Sequence, residues 1–116
     1  MSATAKVQNI TDQNFEDVIA NNEIVFIDFW AKWCAPCKNF APVYESIAKL
    51  YPKVVFGQVN IENEQELAEA FAIRSIPHLM VFKRGIVIYS ESGSMPESTL
   101  KELVEQAISA DISNIS

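Results

Sequence analysis

The stretch Ile24-Val25-Phe26-Ile27-Asp28-Phe29-Trp30, running straight into Ala31-Lys32-Trp33-Cys34-Ala35-Pro36-Cys37-Lys38, decides the fold. Its first half is a nearly continuous apolar run of β-formers. Such a run predicts a strand buried on both faces, in a sheet covered by helices. Its second half changes period. Phe40, Val43, Tyr44, Ile47 and Leu50 recur at spacings of three and four, which predicts a helix kinked at Pro42 and stopped at Tyr51-Pro52. The only two cysteines of the chain sit at this strand-to-helix junction. A C-x-x-C pair placed so, in a βαβ context, reads as a dithiol that cycles with a disulfide.

Working outward, Thr11 is expected to cap a helix reaching about Ala20, with Ile10 stapled on Phe15 and Asn21-Asn22 as the break. Val54-Val55-Phe56-Gly57-Gln58-Val59 predicts a second strand, parallel to the first through a right-handed crossover. Leu67, Ala70 and Phe71 mark a short helix. His78-Leu79-Met80-Val81-Phe82 and Ile86-Val87-Ile88-Tyr89 read as a hairpin joined by Lys83-Arg84-Gly85, with Gly85 at positive φ. Ser94-Met95-Pro96-Glu97 has the spacing of a capping box. Leu100, Leu103, Val104, Ala107 and Ile108 then predict an amphipathic helix packed on the sheet. Residues 111–116 are expected to be a flexible tail.

The 116 residues, 49% hydrophobic, suit one domain spanning 1–116 with one core. Nine basic against fifteen acidic residues leave a net charge of −6, which argues against nucleic-acid binding because phosphates repel an acidic surface. No apolar run reaches the length of a signal peptide or a membrane span. The Met1 start favours the cytoplasm, where thiols are kept mostly reduced, over secretion from a longer precursor. A three-residue spacing closes too short a loop for the cysteines to act as a structural staple, leaving redox chemistry or metal binding. A zinc site needs about four ligands. With two cysteines and one histidine in the chain, no metal is expected.

Only a thiolate is a nucleophile, so a cysteine working at neutral pH needs its pKa lowered. Cys34 is expected at a helix N-terminus, where unpaired N–H groups and the helix dipole stabilise an anion. Pro36 suits the first turn, where a missing N–H costs little. Cys37 falls one turn deeper, within reach of Cys34 and less exposed. The inferred cycle has Cys34 attack a substrate disulfide and Cys37 then displace the reduced substrate from Cys34.

From about residue 7 to 109 the chain resembles the thioredoxin family. The resemblance is carried by Val25-Phe26-Ile27-Asp28-Phe29-Trp30-Ala31, Trp33-Cys34-Ala35-Pro36-Cys37-Lys38, Ala41-Pro42, Ile73-Arg74-Ser75-Ile76-Pro77, and Phe82-Lys83-Arg84-Gly85 with Gly93 downstream. It implies an α/β fold, a central mixed β-sheet with helices on both faces. It implies that the Ile76-Pro77 bond is cis and beside the dithiol, with the Ile76 backbone open to strand-like pairing and no Pro77 N–H facing Cys34. Trp33 and Gly93 are expected to complete an apolar groove. Asp28 is implied as the proton acceptor that activates Cys37, and its apolar surroundings should raise its pKa. The implied function is protein-disulfide reduction by a monomer without bound cofactor, with an NADPH-dependent thioredoxin reductase as electron donor. The rivals are an oxidase or isomerase of the same fold and a thioredoxin-fold binding or chaperone module.

Several residues depart from the family pattern. Ala35 replaces a usual glycine, and Gln58 stands where a lysine near the buried acid is usual. Without that charge, Asp28 should be protonated more often and resolution should slow at mildly acidic pH. Ser75 and His78 also differ; His78 is read as either a modulator of proton transfer or a strand residue pointing away. Trp30 is read as core packing, Lys38 as a solvated charge, and Glu62, Glu64, Glu66 and Glu69 as a wet helix face.

Overall fold

The computed structural model describes residues 7–112. Five strands and four helices follow in the order β1 (Val7–Asn9), α1 (Phe15–Asn21), β2 (Ile24–Trp30), α2 (Ala35–Ala48), β3 (Val55–Asn60), α3 (Gln65–Ala70), β4 (His78–Lys83), β5 (Ile86–Ser92) and α4 (Glu97–Ser109). The strands form one mixed sheet in the spatial order β1-β3-β2-β4-β5. The pairs β1–β3 and β2–β3 are parallel, and β2–β4 and β4–β5 are antiparallel. The central β2 is buried along nearly its whole length, as its nearly continuous apolar run predicts.

Side chains alternate across β2. Ile24 and Phe26 enter the core shared with α2 and α4, where Tyr44, Ile47, Leu100 and Val104 pack. Val25, Ile27 and Phe29 enter the opposite core, against which Phe15, Val18 and Phe71 pack from the side of α1 and α3. Phe26 stacks on Phe56 at 5.0 Å and Tyr44 meets Phe56 edge-on at 5.4 Å. Burying each such ring contributes about 1.5–3 kcal/mol. By the same alternation Asp28 falls on the α2 side, beneath the start of that helix.

Some local expectations are corrected. The strand β1 was not expected. Its pairing Val7↔Phe56 through Asn9↔Gln58 lays it along β3, and a side chain at Gly57 would bring its Cβ within 2.6 Å of Ile10 Cγ1. Thr11 does not cap α1: its hydroxyl accepts from Gln13 N at 3.2 Å inside a preceding turn, and the helix starts at Phe15. No capping box forms at Ser94-Met95-Pro96-Glu97, because Pro96 is the N-cap and no side-chain bond closes it. Leu50 and Ile108 are exposed rather than core.

The hairpin turn is two residues, not three. Arg84 and Gly85 both take positive φ, +52° and +81°, which suits the twist of the flanking strands. Lys83 therefore belongs to β4 and is buried. Its Nζ donates to the carbonyls of Ala107, Ile108 and Ala110 at 2.8, 2.9 and 2.7 Å, closing the C-terminal end of α4 with a cation. The expected tail divides: Ile112 is buried, and residues 113–116 lie outside the described residues.

Candidate active site

The β2–α2 junction places the two sulfurs. Cys34 is the N-cap of α2, with φ −91° and ψ 108°, and its Sγ accepts from Cys37 N at 3.2 Å. A sulfur at that position receives an N–H that no carbonyl can satisfy. Pro36 lies in the first turn. Cys34 and Cys37 are joined as a disulfide with their Cα atoms 5.2 Å apart. Both are buried to the same degree, 4% and 3% exposed. Position on the helix distinguishes them in this oxidised state, rather than the expected difference in exposure.

Ile76-Pro77 is a cis peptide bond, and the Ile76 carbonyl oxygen lies 3.7 Å from Cys34 Sγ. Pro77 is buried and Ile76 half-buried. Gly93, exposed at φ +110°, donates its N–H to Pro77 O at 2.7 Å, so it is tied to the same loop. Its conformation is one that a side chain opposes. Trp33 is 65% exposed, and its Nε1 donates to Glu62 Oε2 at 3.1 Å. Glu62 is not on a helix face. It stands in the turn after β3, where Asn60 Oδ1 accepts from its backbone N at 2.8 Å. Only Glu66 and Glu69 of the expected acidic face are on α3.

Beneath the sulfurs lies a cavity of about 160 Å³ lined by Asp28, Trp30, Cys37, Lys38, Ala41 and Gln58. Asp28 is 4% exposed, and burial pushes its pKa up to about 8. Its Oδ1 and the indole Nε1 of Trp30 are buried with no hydrogen-bond partner among the described residues. Tyr44, buried beside them, has its phenol pKa raised by burial and by the Asp28 charge, while its hydroxyl donates to Gly57 O at 2.8 Å. Trp30 also packs against the cluster of Ala31, Cys34 and Cys37. The sequence reading places Trp30 in the core alone; Asp28 and Trp30 are two apart on one strand and so share a face, a clue the sequence carries.

His78 is in register with Phe29, meets its ring edge-on at 6.3 Å, and has Nε2 2.8 Å from Ser90 Oγ. Phe29 belongs to the core opposite Asp28, so His78 is a strand residue turned away from the cavity. Burial lowers its pKa. Among the described residues, no three His, Cys, Asp or Glu side chains gather into a metal-binding group, and no helix is long and apolar enough to cross a membrane.

The family model described as Thioredoxin matches residues 6–106. The chain belongs to the thioredoxin family. It is 43% identical over 106 residues to a protein named putative thioredoxin 2 from Streptomyces coelicolor, covering 91% of this chain and 79% of that one. It is 42% identical over 105 residues to a thioredoxin of Buchnera aphidicola, covering 89% and 97%. A solved Plasmodium falciparum thioredoxin superposes with a TM-score of 0.79 at 38% identity, covering 85% of this chain and 97% of that one. A Halobacterium salinarum thioredoxin variant superposes with a TM-score of 0.85 at 27% identity, covering 96% and 98%. The thioredoxin fold and the bonded Cys34–Cys37 pair together make the protein a dithiol–disulfide oxidoreductase that reduces protein disulfides.

Proposed function

We propose that Cys34 is the attacking sulfur and Cys37 the resolving one. In the reduced protein, Cys34 thiolate attacks one sulfur of a substrate disulfide, forms a mixed disulfide and expels the other substrate sulfur as a thiolate. Asp28 then takes the proton of Cys37 through the cavity, and Cys37 attacks Cys34 Sγ. The Cys34–Cys37 disulfide forms, the second substrate sulfur leaves, and two electrons have passed to the substrate. The observation that carries this reading is Cys34 Sγ at the helix start, accepting the Cys37 N–H and bonded to Cys37 Sγ, above an acid with an open oxygen.

The remaining roles concern the substrate. Trp33, Ile76, Pro77 and Gly93 form its groove, with the Ile76 backbone offered to an extended peptide. Pro36 holds the first turn in place and presents an apolar edge. The sulfurs store the electrons themselves, so neither a bound cofactor nor a metal enters the cycle. A cytoplasmic monomer, re-reduced by an NADPH-dependent thioredoxin reductase, fits a dithiol that must be recharged after each turnover. It makes the protein an electron carrier for redox homeostasis.

Insulin reduction coupled to a purified reductase and NADPH tests these roles. Cys34→Ser is expected to lose turnover altogether. Cys37→Ser is expected to accumulate mixed disulfides that non-reducing gels reveal. Sustained turnover by Cys34→Ser would refute the assignment.

A further inference from the structure

The charge around the dithiol is opposite in sign to that of the molecule. Residues 29–44 and 70–90, which carry the cysteines and the cis-proline loop, contain no acid. Lys32 lies two residues before Cys34, so their Cα atoms are within about 7.6 Å. Lys38 follows Cys34 by four residues, its N–H donating to Cys34 O at 3.2 Å. Arg74 lies two residues before Ile76, whose carbonyl oxygen is 3.7 Å from Cys34 Sγ. All three are exposed. None makes an ion pair among the described residues, where Arg84 with Glu23 is the pair that forms. Setting these three aside leaves six basic against fifteen acidic residues elsewhere.

Two acids by the site offset part of this. Glu62, which accepts from the neutral Trp33 indole, sets one carboxylate against the three cations. The carboxyl of Asp28, held mostly in its protonated form at neutral pH by burial, adds little negative charge. A basic rim on an otherwise acidic body orients an approaching acidic partner toward the dithiol and repels it from every other side.

We propose that Lys32, Lys38 and Arg74 form a docking collar that selects disulfide-bearing polypeptides with carboxylates flanking the cysteine. The proposal rests on the reductase reading above and names its substrate class. The collar acts on encounter, so its effect is greatest at low salt and fades once the ionic strength shortens the screening length to a few ångströms.

Two disulfide-linked peptides of the same core, one flanked by glutamates and one by lysines, provide the test. The reduced protein is mixed with each at low salt and near 1 M salt. Each rate is divided by that of the same peptide with dithiothreitol, which removes differences in intrinsic disulfide reactivity. The acidic peptide is expected to react roughly tenfold faster than the basic one at low salt, and within twofold of it at high salt. In Lys32→Glu/Arg74→Glu the low-salt ratio is expected to invert. A general loss of activity slows both peptides alike and leaves the ratio unmoved. Equal normalised rates for the two peptides at low salt, or a ratio the double variant leaves intact, would overturn the collar while leaving the reductase reading in place. Failure to reduce either peptide would overturn the reductase reading itself.

Discussion

Asp28 near one end of the sheet and Lys83 near the other are buried to the same degree, 4% exposed each. Their surroundings differ. Lys83 Nζ has three carbonyl acceptors at the C-terminal end of α4. Asp28 Oδ1 has no partner among the described residues and faces a cavity of about 160 Å³. A buried charge whose hydrogen-bonding capacity is filled ties structure together. A buried acid left open has its charged form penalised, and the pKa moves instead. If Asp28 accepts the Cys37 proton as proposed, burial without a partner, rather than burial alone, marks the chemistry in this molecule.

The largest effect that bears on this contrast is on stability. The folded-state pKa of Asp28, about 8, lies above its ordinary value of 3.8. The folded protein holds this proton more tightly than the unfolded chain does. Asp28 therefore costs nothing below about pH 4, and its penalty grows until the pH passes 8. Across that window the penalty reaches roughly 6 kcal/mol at most. Asp28→Asn is expected to stabilise the fold by roughly 3–5 kcal/mol at pH 9 and by far less at pH 4, in urea melts of the oxidised protein. A stabilisation independent of pH would remove the distinction between the two sites.

Lys83→Met has the opposite expected sign. It keeps the apolar stem and removes the cation, leaving the α4 carbonyls without their donor. Each orphaned buried acceptor costs about 1–3 kcal/mol, and water reaching the helix end recovers part of that. A net loss of roughly 2–4 kcal/mol is expected by chemical denaturation, with insulin reduction at 25 °C kept by the folded fraction. Selective loss of reduction in a fully folded Lys83→Met would break the contrast, since the lysine would then have a chemical role.

How far the sequence foretold these two sites follows from where their partners lie. The elements β2, α2 and α4 have long periodic patterns, and each was legible. The three residues of β1 have no pattern of their own and owe their extended form to β3, some fifty residues away in sequence, in the register Val7↔Phe56. The shared face of Asp28 and Trp30 follows from strand alternation. The carbonyls that claim Lys83 lie 24 to 27 residues downstream, and local turn chemistry fits a three-residue loop nearly as well as the two-residue one that forms. Glu62 reaches Trp33 across 29 residues. An acidic stretch read alone has no means of showing that contact. The dithiol was readable because its chemistry is local: both sulfurs and the capping N–H lie within four consecutive residues.

Giving Asp28 the partner that it lacks is the smallest of these changes and the sharpest test. Asp28 and Gln58 are directly paired between β2 and β3, and both line the cavity. A lysine at position 58 would bring an ammonium within reach of the carboxylate, and an opposite charge at such range lowers a carboxyl pKa by about one to three units. In Gln58→Lys, Asp28 is expected to titrate near 7 or below, measured by NMR of its side-chain carboxyl carbon. About a tenth of Asp28 is ionised at pH 7 with a pKa of about 8, and about half would be with a pKa near 7. If Asp28 accepts the Cys37 proton, release of substrate from the mixed disulfide should accelerate a few-fold at pH 6–7. Above pH 8 the gain should vanish, because the acid is largely ionised in both proteins and the variant's carboxylate is the weaker base. A lysine that leaves the Asp28 titration in place would show that the open oxygen is already satisfied from within the cavity, and that the two ends of the sheet differ less than their geometry implies.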